Sequence, residues 1–266
     1  MTNGIIESLL WGFIASIPLL VGSIVASYVN LPKNIIATIM AFGSGVLVAA
    51  LAFSLIEEAF RLAQESIPPV IIGFAAGGIS YSIVNYILNK KGGDGTKHRK
   101  KSHGKNAGGG KNSSGLALLI GSVMDNIPEN MALGISLVTG GAVNVVLIVA
   151  IFLSNFPEGL SSSQGMKAHG RSKRYILSLW SIAVIIGTIS AGIGFSFLSN
   201  TNPSIISIAI SFAAGAILVM LAESMIPEAH NEGEGGVGEG VGVSRIGLAT
   251  MAGFAIAFIL GRLEGG

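Results

Sequence analysis

The chain has no cysteine among its 266 residues. Neither a disulfide framework nor a thiolate metal site is open to it. Charge is scarce as well: 11% of the residues are charged, against about 25% in an ordinary soluble domain. The net charge of +2 gives no footing for a nucleic-acid partner. His-Glu-x-x-His and Gly-x-Ser-x-Gly are both missing, and no histidine falls in the middle of an apolar segment. That leaves no recognisable hydrolase machinery, and we expect no enzyme and no bound cofactor.

What is present is apolar sequence, half of all residues, in runs long enough to cross about 30 Å of hydrocarbon. The runs cover Ile5–Val29, Ile35–Phe60, Pro69–Leu88, Gly115–Val138, Val143–Gln164, Tyr175–Leu198, Pro203–Glu228 and Ser244–Leu260. Turn signals such as Asn30-Leu-Pro-Lys33 and Ser199-Asn-Thr-Asn-Pro203 separate them. The first run lacks a basic leader and a small-residue cleavage site, so it reads as a retained helix. The expected fold is all-α: a polytopic membrane protein of about eight transmembrane helices in one domain, 1–266. A flexible cytoplasmic loop, 90–114, joins the third and fourth. It is rich in Lys, Gly and Ser and includes His98 and His103. A second polar stretch, Asn231–Gly242, is acidic and Gly-rich.

If the Lys-rich loop lies inside, 14 of the 16 Lys and Arg fall on that side, with only Arg61 and Arg262 opposite. The positive-inside rule then puts both termini outside a plasma membrane.

Two internal repeats are visible. Asp125-Asn-Ile-Pro-Glu129 and Ser154-Asn-Phe-Pro-Glu158 share Asn-x-Pro-Glu. The segment from Phe42 to Ala59 aligns with that from Phe212 to Ala229 at an offset of 170. Three helices on each side of a central pair, 3+2+3, is the pattern of inverted-repeat transporters.

Ionisable groups in membrane helices are expensive and by default functional. Asp125, Asn126 and Glu129 share spacings of three and four, as do Ser154 or Asn155 and Glu158, so each set is expected on one helical face. Pro128 and Pro157 cannot donate to the carbonyls of Met124 and Leu153, which frees those oxygens near the carboxylates. Glu57, Glu58, Glu223 and Glu228 stand near helix ends, where both a solvated end and a place on an ion path fit them. Ser161-Ser-Ser-Gln164 fits an exit lining and helix packing equally. The glycines inside the helices read as packing positions.

Eight helices, a long loop after the third, and tandem Asn-x-Pro-Glu motifs in the fourth and fifth resemble the ZIP (Zrt/Irt-like protein) family of divalent metal transporters. The resemblance implies uptake of zinc, iron or manganese across the bilayer. It implies a metal site drawn from Asp125, Asn126, Glu129, Ser154, Asn155 and Glu158, with Glu57, Glu223 and Glu228 as candidates along the path. A homodimer is also compatible with it. Asp125 and Ser154 stand where the family usually has histidine. The sixth-helix stretch Ser181–Gly187 lacks the carboxylate that many members carry. An all-oxygen, single-metal site favouring harder ions follows. A metal-sensing or scaffold protein, and a cation-coupled carrier of another solute, remain the alternatives. The lack of basic residues in the central helices speaks against an anionic cargo.

Overall fold

A computed structural model describes residues 2–91, 113–140, 145–168, 170–233 and 245–264. His98, His103 and His169, most of the Lys-rich loop and the glutamates of 234–242 lie outside the described residues. Among those described, eight continuous helices form the molecule: α1 (Thr2–Tyr28), α2 (Lys33–Leu62), α3 (Ile67–Lys91), α4 (Ser113–Gly140), α5 (Val145–Ala168), α6 (Lys173–Leu198), α7 (Pro203–Met220, continued by Leu221–Met225 and Ile226–Gly233) and α8 (Arg245–Glu264). Seven are long and apolar enough to cross a membrane; the eighth, α4, is 28 residues long and carries Asp125 and Glu129. The chain is an all-α, multi-pass membrane protein, as its apolar runs led us to expect.

Local chemistry sets several boundaries. Ser172 caps α6 by accepting from the Tyr175 amide at 3.3 Å. Asn202 caps α7 in the same way at 2.9 Å, with Pro203 in the first turn, where its missing N–H costs nothing.

The repeats reappear in the backbone. α2 turns π-helical over Leu51–Ile56 and α7 over Leu221–Met225, starting 170 residues apart like the sequence repeat. Wide turns of this kind gather at functional sites. The helix crossings repeat too. Gly45 of α2 lies on the Thr250 carbonyl of α8, and Gly253 of α8 on the Phe42 carbonyl of α2. In the other half Gly215 of α7 lies on the Phe74 carbonyl of α3, and Gly77 of α3 on the Phe212 carbonyl of α7. Likewise α5 meets α1 through Gly159 and Gly22, and α4 meets α6 through Gly134 and Gly194. These matched contacts equate α1 with α6 at an offset of 172, α2 with α7 at 170, α3 with α8 at 176 and α4 with α5 at 25. Because successive spans alternate in direction, α6–α8 run opposite to α1–α3, which makes the repeats inverted.

The centre of the bundle is α2, α5 and α7, each with 61% of its apolar window buried, packed with α4. α3 and α8, at 22% and 17%, lie at the periphery and turn Ile71, Ile72, Ile79, Met251 and Ile259 outward. Outward apolar side chains are what hydrocarbon surroundings require.

Candidate metal site

A cavity of about 20 Å³ lies among the four central helices, room for one ion or water. Its wall is Met40 of α2, Asp125 and Glu129 of α4, Ser154 and Glu158 of α5, and Met220, Ser224, Met225 and Glu228 of α7. Four carboxylates thus face one space. Glu129 is 1% exposed, and its Oε2 has no hydrogen-bond partner. Tyr81 of α3, itself buried, donates its hydroxyl to Asp125 Oδ1. Ser161 donates to Glu228 Oε1 at 3.1 Å.

The residues flanking the cavity differ along the bundle axis. On one side, a turn or two beyond its wall, Leu47, Leu133, Ile135, Leu147, Ile151 and Ile217 close the bundle, none more than 1% exposed. On the other lie Glu158, Ser161 and Glu228.

The two motif asparagines turn away from this space, so the expectation that Asn126 shares a face with Asp125 and Glu129 is corrected. Adjacent residues on a helix diverge by about 100°. Asn126 donates to the Ala183 carbonyl of α6 at 2.9 Å, and Asn155 to the Ala15 carbonyl of α1 at 2.8 Å. Asn126 Oδ1 also accepts from Ser16 of α1 at 3.3 Å and from Asn130, and Gly187 leaves the room these groups occupy. The asparagines therefore hold the proline-containing central helices to α1 and α6. Asn155→Ala is expected to lower stability by about 1 kcal/mol, the scale of one interhelical hydrogen bond in a membrane protein. Thermal melting in detergent checks this.

The carbonyl that Pro157 frees, on Leu153, is also not in the cavity wall. It packs against Gly43 of α2, where a Cβ would come within 2.8 Å of it.

Glu223 lies outside the cavity too. It is exposed at the α3–α7 seam and accepts from Ser82 Oγ at 2.7 Å and Asn85 Nδ2 at 2.6 Å. Glu57 is exposed on the far end of α2, and the neighbouring Glu58 pairs with Arg61 at 2.6 Å. Of Ser161–Gln164, Ser161 reaches the site, whereas Gln164 donates to the Leu31 carbonyl at 3.4 Å.

Sequence reading missed Met40, Met220, Met225, Ser224 and Tyr81. Methionines in an apolar helix give no signal that separates lining from packing. Ser224 stood inside the longer repeat, where its recurrence with Ser54 was the available clue. Three methionines thus line the wall beside the carboxylates, which the all-oxygen expectation did not include. Among the described residues, no three His, Cys, Asp or Glu side chains converge tightly enough to hold one ion together. Removing the Tyr81 hydroxyl, as in Tyr81→Phe, takes this donor from Asp125 and is expected to change the apparent affinity for a divalent cation several-fold. Concentration-dependent uptake measures it.

No protein-family model matches the chain, and no curated protein matches it.

Proposed function

We propose that this protein is a carrier, not an enzyme, which moves divalent metal cations across the plasma membrane into the cytoplasm in the manner of the ZIP transporters it resembles. One observation carries the reading. Four carboxylates from three helices face a small cavity at the centre of an inverted-repeat bundle. Carboxylates gathered in a membrane interior repel one another when charged, and a divalent cation bound among them relieves that repulsion directly. Central helices related by an inverted repeat supply the two-sided geometry that alternating access needs.

In this reading Glu129 and Glu158 are the principal ligands, with Asp125 one turn from Glu129 and Glu228 at the vestibule. Asn126 and Asn155 position α4 and α5. The positive-inside rule, applied to the 14 clustered basic residues, makes the Glu228 side cytoplasmic and puts both termini outside. The Glu228 end of the pocket then faces the cytoplasm, and the apolar layer around Leu133 and Ile151 faces outward. Carboxylates favour harder ions, whereas thioethers favour softer ones, so cargo extending from Mn²⁺ to Zn²⁺ and Cd²⁺ fits this mixed wall.

The test is metal uptake by the purified chain in liposomes, with Mn²⁺, Zn²⁺, Fe²⁺ and Cd²⁺ compared against protein-free vesicles and against Glu158→Ala. We expect flux that depends on the protein and is lost in the variant. Flux absent for every ion under every gradient would return the chain to a sensing or scaffold role.

A further inference from the structure

The helix offsets fixed by the glycine crossings give every cavity residue a counterpart on the other face. Asp125 corresponds to Ala150, Glu158 to Leu133 and Met220 to Ala50, all buried apolar residues. Glu129 and Ser154, 25 apart, correspond to each other and so belong to both faces. The outermost cavity residues behave differently. Ser224 corresponds to Ser54, Glu228 to Glu58, and Ser161, the donor to Glu228, to Ser136. Polar chemistry is thus kept at the far end of the apolar face although nothing in the present cavity uses it.

We infer that Glu58, with Ser54 and Ser136, forms a second divalent-cation site. It is reached from the opposite face of the bundle when the two halves exchange their packing. The inference rests on the carrier reading. In the conformation seen here Glu58 is engaged otherwise. Its Oε2 accepts from Arg61 Nε at 3.0 Å and from the second guanidinium nitrogen at 2.6 Å, while its Oε1 is buried without a partner. Ser136 donates to the Leu133 carbonyl, within its own helix, at 2.8 Å. In the exchanged packing Ser136 would donate to Glu58, as Ser161 now does to Glu228. Arg61 occupies the carboxylate in the meantime, a tethered cation in the place of the free one, and favours the present conformation.

The absence of native cysteine makes single thiol reporters direct. Leu55→Cys and Met225→Cys occupy matched positions on the two faces, and Leu55 is now 2% exposed. In liposomes treated with a soluble maleimide, adding Arg61→Gln should raise labelling of Leu55→Cys roughly two- to fivefold, the bias an exposed ion pair supplies, and lower that of Met225→Cys. Mn²⁺ should slow labelling of Leu55→Cys in the Arg61→Gln protein, and Glu58→Gln should remove that protection. The half-buried Ser54→Cys repeats the measurement should Leu55→Cys fold poorly. Unchanged labelling, a rise on both faces, or Mn²⁺ protection that survives Glu58→Gln overturns the inference. Uptake by the wild-type protein separates the two ideas. Flux without protection sinks the Glu58 site and leaves the carrier, whereas protection without flux keeps the cation site and sinks the carrier.

Discussion

Glu129→Ala is expected to abolish metal uptake while leaving the protein as stable as before, or more so. Glu129 is the most enclosed carboxylate of the cavity, at 1% exposure, and one of its oxygens has no hydrogen-bond partner. Burying such a group costs several kcal/mol, and nothing seen in the structure offsets that cost for Oε2. A residue that only held the fold would not be left half-satisfied between two other carboxylates, Asp125 and Glu158. Stability given up at one position is the usual mark of a functional group.

Alanine removes the buried, half-satisfied carboxyl together with the ligand. The melting temperature in detergent should therefore hold or rise, while flux falls by roughly a hundredfold or more, beyond the loss typical of a group that only supports a ligand. Glu129→Gln, which keeps the shape and removes the charge, should lose flux to the same degree. A melting temperature that drops in parallel with flux would make Glu129 a packing residue and withdraw it from the ion path.

How much of this was legible before the fold was seen differs by element. Seven of the eight helices were legible as spans from apolar run length, because a bilayer demands that length and little else. The α2–α7 repeat was legible because Ser54 and Ser224 recur at matched places, and its π-helical turns fall inside the matched segment. The carboxylates Asp125, Glu129 and Glu158 were legible because charge in an apolar helix is conspicuous. The fate of Asn126 and Asn155 was not. Spacing alone cannot say which side of a helix meets the cavity and which meets a neighbour. The neighbours here, α6 and α1, offer carbonyls at Ala183 and Ala15 that no sequence pattern marks. Tyr81 was hidden in the same way, since its partner Asp125 is 44 residues away on another helix. The glycines were read correctly as packing positions, but only the structure pairs them. That pairing reveals that Asn-x-Pro-Glu repeats at 29 residues while the crossings of the same helices repeat at 25, a slip of about one helical turn. The slip is why both motif glutamates line a single cavity instead of serving opposite faces one each.

Gly159→Ala is expected to be strongly destabilising, and Gly134→Ala likewise. A Cβ at Gly159 would be driven into the backbone carbonyl of Leu19, and one at Gly134 into that of Ala191. Neither obstacle is a side chain that can swing aside; each is the main chain of a fully packed helix. The contact is relieved only if α5 withdraws from α1, or α4 from α6. In either case the hydrogen bond that Asn155 or Asn126 makes across the same pair is stretched as well. Overpacking of this kind costs typically 1–3 kcal/mol, and with the asparagine bond also lost about 3 kcal/mol or more is expected. Gly165 of the same helix supplies the control, since a Cβ there meets nothing within 4 Å. Gly165→Ala should hold or gain stability, because alanine is favoured over glycine in a helix by about 1 kcal/mol. Size-exclusion chromatography after a temperature series reads all three variants at once. If Gly159→Ala and Gly165→Ala survive to the same temperature, α1 and α5 do not pack through Gly159. The helix correspondence that equates α4 with α5 would then lose its anchor.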